Sequence, residues 1–202
     1  MSETGVVKFA AEHVAVELAP FAGFQELNAC RCKLLALKMI GADANGIGFG
    51  NLSVRADDAG AFYITGSGTG GRRQLSLSEY AKVIAYDLER NWLRCEGGTV
   101  ASSESLTHAA VYGSELQVGV VIHCHSNAVW TRLLDRELTT SADVEYGTPG
   151  MAFEVQRLFR ETDVRNQQIF AMAGHTDGVI AFGRDVDDAF GALMRHCSNS
   201  RD

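Results

Sequence analysis

His123-Cys124-His125 closes the apolar run Val118-Gly119-Val120-Val121-Ile122. On a strand, alternate side chains share a face, so both imidazoles project from one side and the Cys124 thiol from the other. Two imidazoles on one rigid strand edge are half of a metal site. A catalytic zinc usually takes three protein ligands and leaves one position for water or substrate. The natural third is His175 in Ala173-Gly174-His175-Thr176-Asp177-Gly178, at a strand end and between glycines that let backbone approach closely. A plain hydrogen-bonded histidine is the competing reading of each, and spacing alone does not choose between the two. His13 and His196 fall in stretches that read as amphipathic helices and are taken as structural.

A second group is Ala101-Ser102-Ser103-Glu104-Ser105-Leu106-Thr107-His108. Ser102 or Ser103 suits the N-cap of a following helix. A helix start favours anions through its free N–H groups and dipole. Glu104 and His108, four apart, share a helix face. His108 is thus a rival metal ligand, with packing or hydrogen bonding beside Glu104 as the simpler account. Two glycine-rich loops form a third group: Gly46-Ile47-Gly48-Phe49-Gly50-Asn51 and Thr65-Gly66-Ser67-Gly68-Thr69-Gly70-Gly71-Arg72-Arg73. Either could form an anion-binding nest, and either could be a tight turn. Neither is followed by Gly-Lys-Ser/Thr, and neither has the strand–turn–helix context of a dinucleotide site.

These residues need a frame. The patterning predicts helices over 6–18 and 24–40, with Gly41 closing the second. Period-two alternation at Leu52 and Val54, with Ala61–Thr65 after the turn 57–60, predicts a hairpin, and 82–88 with 91–95 another. Helices are expected over 104–113, 149–160 and 185–197, and strands over 118–125, 168–173 and 178–182. Helices alternating with hairpins point to a mixed sheet covered by helices rather than a purely parallel one.

Bulk properties narrow the function. The chain has 202 residues, 46% of them hydrophobic, enough for one compact domain over 1–202. Its formal net charge is −7, and no basic block exceeds Arg72-Arg73. Nucleic acid is therefore not an expected partner. Five cysteines without disulfide spacing read as reduced thiols of a cytoplasmic protein. No basic n-region precedes an apolar core at the N-terminus, and no apolar run approaches the ~20 residues that span a bilayer. Neither a signal peptide nor a membrane partner is expected.

Taken in order, the motifs Gly50-Asn51-Leu52-Ser53-Val54-Arg55, Thr65-Gly66-Ser67-Gly68, Ser102-Ser103-Glu104 with His108, His123-Cys124-His125-Ser126 and Gly174-His175 resemble the class II aldolase/adducin family, with its fuculose-, rhamnulose- and ribulose-phosphate members. Each motif alone is weak, and the ordered set is specific. The resemblance implies a three-layer α/β/α sandwich with a mixed, mostly antiparallel central sheet, and a homotetramer with sites near subunit interfaces. It implies His123, His125 and His175 as metal ligands and Glu104 as acid/base. Gly50, Asn51, Ser67, Gly68, Ser102 and Ser103 would then bind a phosphate. The implied cofactor is a divalent metal, Zn2+ before Mn2+, Co2+ or Fe2+. The implied reaction is carbon–carbon cleavage through a metal-stabilised enediolate of a small anionic substrate.

The chain departs from that pattern in one region. The segment 126–148 is shorter than in the sugar-phosphate aldolases, where it carries a tyrosine donating a proton across the interface. No tyrosine lies between His125 and Tyr146 or after His175, and Tyr146 matches a different family position. A dehydratase, epimerase or decarboxylase on the same metal centre is therefore the alternative. A non-catalytic adducin-like binding module would have no reason to keep three ligands and Glu104. A purely structural zinc would call for a fourth protein ligand, and Cys124 points away.

Overall fold

A computed structural model describes residues 8–134 and 136–198. Its strands are β1 (Ala10–Ala15), β2 (Gly41–Ala42), β3 (Gly48–Phe49), β4 (Asn51–Arg55), β5 (Phe62–Thr65), β6 (Tyr80–Asp87), β7 (Trp92–Gly97), β8 (Val120–His125), β9 (Ile169–Ala171) and β10 (Gly178–Gly183). Its helices are α1 (Phe24–Ala36), α2 (Ser105–Ser114), α3 (Asn127–Leu134), α4 (Pro149–Glu161), α5 (Val164–Gln167) and α6 (Val186–Ser198).

Eight strands form one sheet in the order β1-β7-β6-β5-β4-β8-β10-β9, and β2 pairs with β3 apart from it. Among the described strands, β1 and β7 run parallel, and the other strand pairings in the large sheet are antiparallel. The strand β8 lies inside the sheet between β4 and β10. Its apolar residues are buried, as a strand covered on both faces requires. Helices α1, α3 and α6 pack together on one face, and α2 and α4 pack on the other. This is the expected three-layer α/β/α sandwich with a mixed, mostly antiparallel sheet. The alternation along β8 separates its side chains as expected. Cys124 feels Cys197 of α6 and Cys30 of α1, whereas His123 feels His108 of α2.

The helix expected over 6–18 is not formed. Residues 6 and 7 lie outside the described residues, and Ala10–Ala15 is an edge strand. Alanine and glutamate favour a helix there, but pairing beside β7 satisfies the backbone instead. Ala10 N–H donates to Asn91 O (2.9 Å) and Val16 N–H to Gly97 O (3.3 Å). His13 is therefore on a strand, its Nε2 bonded to Gly97 O at 2.9 Å. An edge strand with most of its side chains exposed carries no apolar alternation to announce it.

Helix α1 also ends earlier than expected, at Ala36 rather than at Gly41. Lys38 takes the left-handed conformation at φ 58°. Met39 N–H returns to Leu34 O (2.9 Å) and Lys38 N–H to Leu35 O (3.0 Å). That double bond pattern is a Schellman stop, built on lysine where glycine is usual. The early stop frees Met39 to accept from His125 N–H at 2.8 Å. The remaining expected elements form within a few residues of their predicted bounds, while α3, α5 and the small β2–β3 pair were not foreseen. All five cysteines are free. Among the described residues no helix is long and apolar enough to cross a membrane.

Candidate active site

The sheet register assembles the site. Asn51 of β4 stands opposite His123 of β8, and Gly178 of β10 stands opposite His125. The turn leading into β10 then carries His175 over the end of β8. Met172 O accepts from His175 N–H (3.0 Å), and His175 O accepts from Gly178 N–H (2.8 Å). Asp177 within this turn is left-handed at φ 65°. It is tied to the start of α3 by Asn127 Nδ2 (2.8 Å) and by Ser126 N–H (2.9 Å).

His123, His125 and His175 thereby offer ligand atoms that all lie within 4.8 Å of one another. His125 Nε2 and His175 Nε2 are 2.9 Å apart. His123 Nδ1 donates to Val179 O at 3.2 Å, which turns the Nε2 lone pair inward. Burial is the main cause that keeps all three rings uncharged. It holds His125 near 4 and His175 near 3, and it pushes His123 well below the usual imidazole range with help from His125 and His175. Three neutral, convergent imidazoles are the donor state a divalent metal requires, so the residues fit such an ion.

Glu104 is buried in the same pocket. Its Oε2 accepts from Thr107 Oγ1 at 3.0 Å, and its Oε1 has no hydrogen-bond partner. Desolvation raises its pKa to about 7 against the lowering influence of Thr107 and Lys8. The carboxyl occupies the N-cap position of α2 without capping it. Neither Ser102 nor Ser103 is the N-cap, contrary to the sequence reading. The helix begins later because Ser102 O already accepts from Ser105 N–H (3.0 Å) and Ser105 Oγ (2.6 Å) in the preceding turn. His108, the rival ligand, is not part of this cluster. Ser53 Oγ bonds its Nδ1 at 2.7 Å and Tyr112 OH at 2.7 Å, and burial holds His108 near 3.

Gly50, Asn51, Gly68, Ser102 and Ser103 line one pocket, together with Gly48, Gly66, Phe49 and Tyr146. Ser67 is not among its lining residues. Its N–H is engaged by Val100 O at 3.2 Å, and the neighbouring Gly66 lines the pocket instead. The two glycine loops converge because their backbones touch. A Cβ on Gly70 would lie 2.1 Å from Phe49 O, and one on Gly48 would lie 2.4 Å from Gly68 O.

Two residues of the site escaped sequence reasoning. The Tyr146 ring stands 4.4 Å from the His175 ring, edge to face. Lys8 Nζ lies 4.0 Å over the Tyr146 ring and 3.2 Å from Glu145 Oε2. Asn91 Nδ2 holds both segments, donating to Lys8 O (3.0 Å) and Gly147 O (3.4 Å). The 126–148 segment thus brings Tyr146 against the histidine cluster. No periodicity or spacing in the chain signals this, since residue 8 and residue 146 meet only through the fold.

Gly178 sets the position of His175. A Cβ there would come 2.3 Å from His175 Cδ2 and 2.9 Å from His175 O. Gly178→Ala is expected to displace the imidazole and weaken divalent-ion binding by about 10–100-fold, the range for partners that orient a ligand. Competition titration against a chelating dye measures this, and unchanged affinity would show that the turn yields without moving the ring.

The family model for the class II aldolase and adducin N-terminal domain matches residues 34–196. Among similar solved structures is fuculose-1-phosphate aldolase from Thermus thermophilus, with TM-score 0.60, 20% identity, and 86% of this chain and 88% of that chain covered. A sugar-phosphate aldolase from Thermotoga maritima gives 0.60 at 16% identity, covering 89% and 96%. YgbL from Klebsiella pneumoniae, whose assignment is left between aldolase, epimerase and decarboxylase, gives 0.63 at 18%, covering 88% and 86%. No curated protein sequence matches the chain at a significant level. With most of its length matched by one family model, the chain belongs to the class II aldolase and adducin N-terminal domain family.

Proposed function

We propose that this chain is a metal-dependent lyase of the aldolase type, acting on a small sugar phosphate or hydroxy-carbonyl acid. One observation carries the reading: three convergent, uncharged imidazoles share a pocket with a buried carboxyl whose Oε1 has no partner. An unpaired buried carboxyl oxygen is costly to stability and has no use in a purely structural zinc site or a silent binding module. His123, His125 and His175 would hold the divalent ion, Zn2+ first and Mn2+, Co2+ or Fe2+ after it. Such an ion, when bound, supplies Lewis acidity to a carbonyl oxygen.

The other roles belong to the chain itself. Glu104 takes up and returns a proton at Oε1, its Oε2 being fixed by Thr107. A carboxyl raised to about 7 exchanges a proton readily near neutral pH. Gly50, Asn51, Gly68, Ser102 and Ser103 bind the anionic end of the substrate, with Asn51 Oδ1 left unpaired to receive a hydroxyl. Tyr146 and Phe49 wall the pocket and exclude water. One domain over residues 1–202, a cytoplasmic location and a homotetramer complete the proposal.

The sugar-phosphate aldolases among the similar structures support the phosphate. YgbL supports the alternative of an epimerase or decarboxylase using the same residues, and a dehydratase is the third alternative. A metal-replete assay against ketose phosphates and sugar acids separates these. An aldehyde product is expected from cleavage, and release of carbon dioxide or water would favour the alternatives. A chain that takes up no divalent ion would end the proposal.

A further inference from the structure

Arg31 is the largest side chain that α1 buries, and it lies outside the pocket. Its Nη2 donates to Thr69 O (2.9 Å) and Arg72 O (2.8 Å), while Nε and Nη1 have no partner. Burial lowers its pKa from 12.5. Taking a guanidinium out of water without a bonded carboxylate is unfavourable, so its position calls for a compensating role.

The two carbonyls it grips are the ends of one turn. Arg72 N–H donates to Thr69 O at 3.0 Å, closing Thr69–Arg72. Within that turn Gly70 rests on the Phe49 and Gly41 backbones. The preceding turn, closed by Thr69 Oγ1 on Gly66 O at 2.8 Å, holds the pocket residues Gly66 and Gly68. Gly48 of the first loop packs against Gly68 O in turn. Helix α1 reinforces the same segment beside Arg31. Asn28 exchanges two bonds with the Leu75 backbone (3.1 and 3.0 Å), and Cys32 Sγ reaches Arg73 O (3.3 Å). With the 69 and 72 carbonyls drawn toward α1, the glycine backbone between Gly66 and Gly68 is left to face the pocket.

We infer that Arg31 is a positioning residue for anion binding: by holding the turn Thr69–Arg72 it seats both glycine loops, and through them the subsite for the phosphate or carboxylate of the substrate. This rests on the proposed anion role of the loops and adds the residue that sets their geometry.

The test separates anion binding from metal binding. Metal-loaded Arg31→Met and Arg31→Lys chains are titrated with inorganic phosphate. Methionine fills similar volume without a charge, and lysine keeps the charge but falls short of the two carbonyls. Both are expected to hold one divalent ion per chain as the wild type does, and to lose at least tenfold in phosphate affinity. With substrate, KM should rise while kcat changes less than threefold. Wild-type affinity in Arg31→Met would overturn the inference, and full recovery in Arg31→Lys would assign the effect to charge rather than to the grip on the turn. Hydrogen exchange of the wild-type holoprotein gives a reading independent of the variants. Phosphate should slow the amides of 46–50 and 66–72 together, and slowing at 46–50 alone would overturn the coupling. A wild-type chain that holds metal and ignores phosphate overturns the inference while the metal reading stands.

Discussion

Replacing His175 by alanine is expected to cost the protein its divalent ion. Two imidazoles remain, and the affinity should fall by more than about 100-fold, beyond the range for losing a partner that merely orients a ligand. Metal analysis of the purified variant, with catalytic turnover measured beside it, checks this, and a variant that keeps one ion per chain would remove His175 from the ligand set. The metal-free proteins should also differ in acid. Burial holds His175 near 3, far below the ordinary 6.5, so the unfolded chain binds its proton first. Below pH 6.5 the unfolded state therefore gains protons that the folded state does not, and stability falls as pH falls toward 3. Each unit across that interval is worth about 1.4 kcal/mol. Metal-free His175→Ala lacks this contribution, so its unfolding free energy should decline less steeply than that of the metal-free wild type between pH 6.5 and 4. Denaturant unfolding at fixed pH values measures the difference. Parallel profiles would contradict the buried, uncharged state of the ring.

The same histidines show where sequence reasoning is strong. His123 and His125 share a face because a strand has period two, and that rule needs no knowledge of neighbours. The apolar run before them marks β8 as covered on both sides, and Gly174 and Gly178 mark the close approach around His175. Long-range information was out of reach. The strand at 10–15 takes its conformation from β7, far along the chain, and its own residues favour a helix. Arg31, on the buried stripe of α1, reads as an ordinary charged helix residue until the loop at 69–72 is seen to lie on it. Tyr146 and Lys8 meet where Asn91 bonds the Lys8 and Gly147 backbones. The serines before α2 fit an N-cap by type, yet the turn at Ser102–Ser105 claims that position and delivers Glu104 to the pocket instead. Residue type and local period thus locate the histidine cluster. Contacts between distant segments decide what surrounds it.

Glu104→Gln is expected to abolish most turnover while leaving metal and fold in place. Glutamine has the same shape, and its amide oxygen can still accept from Thr107 Oγ1, so the cost to packing is small. It cannot carry the proton. Loss of a positioned general acid or base lowers rates by about 10²–10⁴-fold, and that is the fall expected in kcat at unchanged metal content. A variant with wild-type turnover would take the proton-transfer role away from this residue. The metal-free protein offers a check that does not depend on knowing the substrate. Desolvation raises the Glu104 carboxyl from 4.5 to about 7, so the folded state holds the proton more tightly than the unfolded state. The stability it contributes is full below pH 4.5 and is lost as pH rises through 7. The wild type should therefore lose about 3 kcal/mol relative to Glu104→Gln across that interval, at about 1.4 kcal/mol for each unit. The histidine ligands act in the opposite sense over much of the same range, and they cancel in the comparison because both chains carry them. A bound cation reverses the balance for the carboxyl, since positive charge favours its ionised form. Adding metal should accordingly flatten the difference between the two proteins, and a difference indifferent to both pH and metal would place Glu104 away from the ion.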